Sequence, residues 1–287
     1  MRNLREDKSS RELFENLKIH CEKCFGFCCV ALYFSACDGF PNDKESGKPC
    51  INLKSDFSCS VHNELRKKGL KGCTSYDCFG AGQKVAQSTY IGCDWRESPE
   101  LSKQMFDVFL LMRQLHEMMW YLTDALTFVT NNTIKDELKL MIQETIKLTN
   151  LDAKLILDID VEMHRRKVNS ILKKASELVK RRASSDRKES LSNKKSLKVG
   201  YDFIGANLTQ TNLIGANLAG SLLIASNLKA TDLSGAILIG ADLRDADIRG
   251  ANLTDCMFLT QSQINTAKGN SSTKLPESLV RPSYWEK

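Results

Sequence analysis

From residue 201 onward the chain repeats every five residues, and this period constrains the fold more than any other feature of the sequence. The apolar centres are Phe203, Leu208, Leu213, Leu218, Leu223, Leu228, Leu233, Leu238, Leu243, Ile248, Leu253 and Phe258. Two positions before each centre sits a small residue, from Ala206 and Thr211 through to Ala251 and Cys256, and Tyr201 alone breaks the rule. Immediately before the centre, Asn or Asp stands at 202, 207, 212, 217, 227, 232, 242, 247 and 252. A period of five fits neither the strand repeat of 2 nor the helix repeat of 3.6. It predicts a solenoid of square cross-section with one unit per side. The centres then stack inward, the small residues point inward beside them, and Asn and Asp bond the local backbone at the corners.

This pattern resembles the pentapeptide-repeat family over residues 201–260. The resemblance implies a right-handed quadrilateral β-helix with four units per coil, so twelve units make about three coils. At roughly 4.8 Å per strand spacing the stack stands about 14 Å tall. Some members of that family imitate DNA and bind DNA gyrase. A duplex of that length carries on the order of eight phosphate charges. The repeat here holds six Asp, offset by Lys229, Arg244 and Arg249, so nucleic-acid mimicry is not expected. Open strand edges need covering. Residues 261–287 are expected to cap the last coil, with a short helix stopped at Gly269 and with Leu275, Leu279, Tyr284 and Trp285 packed over it. The amino end is left for the helical region or for another chain, which keeps a homo-oligomer open.

The second constraint is cysteine. Ten of the 11 cysteines lie between Cys21 and Cys93. Disulfides need an oxidising compartment, and the amino-terminal MRNLREDKSSREL has no apolar run of signal-peptide length. A cytoplasmic protein is expected, and metal binding becomes the reading of the thiols. Two thiolates two residues apart can grip one ion from a tight turn, and pairs from distant loops close the tetrahedron. Gly26 lies inside the first knuckle, where the chain must turn without a side chain in the way. The candidate ligands are Cys21, Cys24, Cys28, Cys29, Cys50, Cys59, Cys73 and Cys78. Eight thiolates suffice for two four-coordinate ions, or for an iron–sulfur cluster plus a zinc. Cys37 and Cys93 fall outside the pattern and read as small hydrophobes or secondary thiols.

CEKCFGFCC, PCINLKSDFSCSVH and GCTSYDC resemble the Cys-cluster family of zinc- or iron-chelating proteins over residues 21–78. That resemblance implies zinc or iron, including an iron–sulfur cluster, and no particular reaction. Two departures are the three-residue gap before Cys28-Cys29 and His62, which stands where an aromatic is usual and could add a ligand. His20 adjoins Cys21 and is a weaker candidate, because adjacent residues seldom ligate together. FGAGQ (79–83) lacks the spacing of a phosphate loop or dinucleotide fingerprint and reads as a turn ending the metal domain.

Between these regions the sequence is helical. Ser98-Pro99-Glu100 is a helix start, and apolar residues at three- and four-residue steps carry the helix to about Phe128. Thr133 is expected to cap a second helix from Ile134 to about Leu148, and a third is expected from Leu151 to about Val179. The Met- and aromatic-rich MRQLHEMMW (112–120) reads as core, and His116 and His164 as structural. Residues 164–200 hold 13 basic and 3 acidic residues. They end the third helix and open a Ser-rich linker without the interleaved aromatics that base stacking needs. One uncharged window, 203–228, has the length of a membrane span, but its regularly spaced Asn residues would be buried in lipid without partners.

The expected organisation is therefore a Cys-rich metal-binding domain at 1–97 and a helical domain at 98–183. A basic linker at 184–200, the repeat β-helix at 201–260 and a cap at 261–287 follow. A net charge of +6 and 42% hydrophobic residues fit a globular chain. No acid/base pair, nucleophile with its base, or cofactor fingerprint accompanies the thiols. The expected role is a non-enzymatic protein-interaction scaffold with an unidentified protein partner. A metal- or iron–sulfur-dependent redox enzyme is the alternative, and a topoisomerase- or nucleic-acid-directed regulator a second one.

Overall fold

The computed structural model describes residues 8–185 and 202–285. They fall into two compact units, one built from Ser9–Thr123 and Asp136–Ile171, the other including Asp124–Lys135 and Leu172–Lys287. The basic Ser-rich segment lies outside the described residues from position 186 onward.

In the first unit the short helices α1 (Lys8–Asn16), α2 (Phe27–Ala31), α3 (Lys71–Thr74) and α4 (Ala81–Lys84) precede the long α5 (Pro99–Phe128). Helix α5 begins with Pro at its first position, where a missing N–H costs nothing. Met105, Val108, Phe109, Met112, Leu115 and Leu122 form its fully buried stripe. Helix α6 (Asn132–Thr149) starts slightly before the expected point, because Asn131 rather than Thr133 caps it: the Asn131 Oδ1 accepts from Ile134 N at 3.1 Å. The expected third helix is two helices, α7 (Ala153–Leu157) and α8 (Val161–Ser185). Aspartates cause the break by favouring caps over helix interiors. The Asp152 Oδ1 accepts from the Lys154 and Leu155 amides at 3.0 Å, and the Asp160 Oδ1 accepts from Met163 N at 2.8 Å.

Composition divides head from helices at residue 97, but packing crosses that line. Phe27, Ala31, Ala81 and Val85 share one core with Met105, Phe109 and Met112 of α5 and Ile156 of α7. The Phe27 and Phe109 rings stack at 5.5 Å, and each such burial stabilises by about 2–3 kcal/mol. A second, smaller core gathers Phe34, Phe40, Cys50 and Leu70.

The second unit contains the repeat. Parallel bridges join residues 20 apart: Asp202 with Leu222, Asn207 with Asn227, Leu222 with Asp242, Asn227 with Asp247, and Ile237 with Met257. Twenty residues per coil is four units of five, the square section that the period predicts. Each side contributes one bridging residue per coil, so the coils form ladders of single bridges rather than long strands. Every centre from Leu208 to Phe258 is buried, while Phe203 in the first coil is half-buried. The small residues are buried from Ser221 onward and half-buried before it. All nine Asn and Asp residues before the centres accept, through Oδ1, the amide two residues on, at 2.9–3.4 Å. The window 203–228 lies within these coils, and no helix among the described residues is long and apolar enough to cross a membrane.

The last coil is capped as expected in outline. Helix α9 (Gln261–Thr266) opens on a capping box from Thr260 and Gln263, and Lys268 and Lys274 then bridge to Asp247 and Asn252. Leu279 and Trp285 are buried, Leu275 is half-buried and Tyr284 is exposed. Gly269 is required by packing: a Cβ there would meet the Trp285 ring at 2.5 Å. On another side of this unit, the buried Asp124 near the end of α5 accepts from Phe258 N at 2.6 Å.

Candidate metal centre

The chain enters the cysteine region through a 3-10 turn, Cys21–Lys23, in which Cys24 N donates to Cys21 O at 3.1 Å. Gly26 then takes a left-handed conformation (φ 63°), and a Cβ on it would meet Leu53 Cδ1 at 2.7 Å. The turn starts α2, which carries Cys28 and Cys29 on successive positions with their Sγ atoms 4.0 Å apart. Cys50 arrives beside α2 by donating its amide to Cys29 O at 2.8 Å. Cys59 follows from a tight antiparallel pairing with Leu53. Cys73 lies in α3, and Cys78 precedes the turn into α4.

All eight cysteines expected as ligands line one cavity of about 310 Å³, together with His20 and His62. Cys37 is exposed and away from it, and Cys93 bonds Ser98 Oγ at 3.0 Å, also away from it. The eleventh cysteine, Cys256, is a small inward residue of the repeat and donates to Leu233 O. Among the described residues, no three Cys, His, Asp or Glu side chains converge closely enough to define a site for a single ion. The structure thus gathers the donors around a space without drawing them to a point.

The donors are soft sulfurs in an apolar wall. Burial pushes Cys24 and Cys73 up to about 12 and Cys78 to about 11, and it raises Cys21 and Cys59 as well. Cys28 is raised by its hydrogen bond with Cys29 and by burial, whereas the same bond, with help from Lys44, lowers Cys29. At neutral pH Cys24, Cys73 and Cys78 hold their protons until a cation supplies the charge that burial withholds. The donor set therefore suits a thiophilic ion that displaces protons on binding.

Several supports were not legible as such in the sequence. FGAGQ does more than turn the chain, because its Gln83 lines the cavity. Gly80 is left-handed (φ 75°), and a Cβ on Gly82 would lie 2.5 Å from Cys24 Sγ. Gln83 accepts from His20 N and donates to Lys18 O. Its position directly after Cys78 was the available signal. Lys44 is buried, and its Nζ donates to Val30 O at 2.8 Å and to Leu32 O. The guanidinium of Arg96 sits 4.2 Å from the centre of the Phe57 ring and donates to the Ser55 and Lys54 carbonyls. It holds the turn between Cys50 and Cys59.

His116 and His164 lie outside the cavity and have partners of their own. The Phe79 carbonyl lies 2.7 Å from His116 Nδ1, and Thr145 Oγ1 lies 2.9 Å from His164 Nε2.

The twenty-residue register and the nine Asx bonds define a pentapeptide-repeat protein, here carrying a cysteine-lined head. Eight copies of the pentapeptide repeat match, over residues 202–238 and 226–258. The chain is also 52% identical over 271 residues to "Uncharacterized protein YybG" of Bacillus subtilis (strain 168), covering 94% of this chain and 95% of that one, and it belongs to the same family. Among solved structures, a pentapeptide repeat protein (Rfr23) from the cyanobacterium Cyanothece 51142 matches at 25% identity with a TM-score of 0.16. That match covers 31% of this chain and 52% of the other.

Proposed function

We propose that the protein is a non-enzymatic interaction scaffold whose cysteine head is stapled by zinc or iron and whose repeat offers a rigid face to a protein partner. The observation that carries the metal half is that Cys21, Cys24, Cys28, Cys29, Cys50, Cys59, Cys73 and Cys78 all line one cavity. Their sulfurs would hold the ion, and the ion would supply the positive charge that lets buried thiols ionise. The scaffold half is supported by the repeat itself. Its Asx bonds and stacked centres pre-order the backbone, which lowers the ordering cost of binding.

Charge pairing argues against nucleic-acid mimicry. Asp242 pairs with Arg244 at 2.7 Å, Asp247 with Arg249 at 2.6 Å, and Asp245 with Lys268 at 3.7 Å. Half of the repeat's acidic groups are thereby matched by a nearby cation, leaving little of the field that a phosphate backbone presents.

Anaerobic purification followed by elemental analysis and a visible spectrum tests the metal half. Zinc in colourless protein is the expected outcome for a closed structural staple, and iron with a brown chromophore would favour the redox alternative. Less than a tenth of an ion per chain in a folded head would sink the metal reading.

A further inference from the structure

The eight cysteines are not equivalent in what they pack against. Cys24, Cys28 and Cys78 lie at the edge of the large core built on α5. Cys50, Cys29 and Cys73 belong with the small core of Phe34, Phe40 and Leu70. The dividing line runs between two adjacent residues, Cys28 and Cys29. Successive side chains on a helix point about 100° apart, so the double cysteine in α2 serves two sides at once.

The remaining two thiols complete the groups through their local structure. Cys21 is tied to Cys24 by the knuckle hydrogen bond. Cys59 is bridged to Leu53, which packs against the small core. We propose that the cavity holds two separate four-thiolate metal sites, one from Cys21, Cys24, Cys28 and Cys78, the other from Cys29, Cys50, Cys59 and Cys73. This deepens the metal reading above and rests on it.

Two further observations agree. Each set has four sulfurs, the number that closes a tetrahedral structural site. The sets are nested in sequence: the second lies wholly within residues 29–73, between members of the first, so each would staple a different loop. The sets differ in their surroundings, because the buried Lys44 donates its Nζ to the carbonyl of Val30, the residue after Cys29.

On binding, the sulfurs of each set, which line the cavity without meeting at a point, would draw in to form four metal–sulfur bonds to one divalent ion and release up to four thiol protons to solvent. No electron transfer is involved.

The test is an anaerobic titration of metal-free full-length protein with cobalt(II), read by sulfur-to-cobalt charge-transfer absorption and checked by elemental analysis. The wild type should take up two equivalents. Cys24→Ser/Cys78→Ser should take up one, and Cys50→Ser/Cys73→Ser should also take up one. The cross-set pair Cys24→Ser/Cys73→Ser should lose the tetrathiolate spectrum of both sites. Helical circular dichroism reports whether each variant folds, and the wild-type stoichiometry stands independently of the variants. One equivalent in the wild type, or complete loss from either same-set pair in folded protein, would mean a single shared centre and overturn the proposal. No uptake at all by the wild type would bring down the metal reading itself.

Discussion

His116 is 4% exposed, and the carbonyl of Phe79 lies 2.7 Å from its Nδ1, so that nitrogen carries the proton and donates. Burial pushes its pKa down from 6.5 to about 4, against the opposing pull of the Phe79 carbonyl. The folded state keeps this ring neutral while the unfolded chain protonates it. Its contribution is therefore intact above pH 6.5 and is lost as pH falls from about 6.5 toward 4. Between pH 7 and pH 5 the loss should be about 2 kcal/mol. His116→Asn keeps a donor but cannot titrate. Urea unfolding of both proteins at the two pH values should show a smaller pH dependence in the variant, and equal dependence would contradict the buried neutral imidazole. A second residue-scale expectation concerns the repeat corners. Gly220 sits at φ 65° with nothing within 4 Å of a would-be Cβ, so Gly220→Ala tests backbone strain alone. It should cost about 1 kcal/mol. The cost is tolerable, since Ala225, Ala230 and Asp245 already occupy equivalent left-handed positions. A measured change near zero in chemical denaturation would contradict it.

At the scale of elements, the repeat was legible almost residue by residue. A five-residue period admits few solutions, and the Leu centres, the small inward residues and the Asx bonds all fall where the pattern put them. The open first coil was less legible, because burial of Phe203 and Ala206 depends on what covers the end. The helix boundaries at Pro99 and Phe128 followed from a cap and an apolar stripe. The split between α7 and α8 did not, because no Gly or Pro marks it. Competition from the side chains of Asp152 and Asp160 for local amides sets that break. Substitutions in the coil give a direct check on the inward assignment. Ala241→Leu should overpack and cost about 1–3 kcal/mol. Leu243→Ala should leave a cavity and cost about 2–5 kcal/mol. Ile239→Thr, on a half-buried outer position, should change stability by about 0.5 kcal/mol or less. Equal losses at all three sites, measured by thermal or urea unfolding, would contradict the stacking.

For the whole molecule, the cysteines that line the cavity were legible in the sequence, but their surroundings were not. Spacing singled out the eight cysteines that line the cavity and set aside Cys37 and Cys93. Spacing could not show which core each thiol packs against, because Cys28 and Cys29 are neighbours in sequence and diverge only when α2 is packed. Nor could it show that Gln83 lines the cavity or that Gly82 packs against Cys24, since both depend on tertiary contacts. Stability should depend on metal, because raised thiol pKa values make the apo cavity a poor anion site and the ion must supply the charge. Chelation under reducing conditions should lower the unfolding temperature of the first unit, followed by near-ultraviolet circular dichroism from residues such as Trp95 and Trp120. The most direct measurement is X-ray absorption at the metal edge of anaerobically purified, full-length protein. Sulfur neighbours at about 2.3 Å should dominate the metal's surroundings. A shell made only of nitrogen and oxygen, or the absence of any bound metal in folded protein, would contradict it.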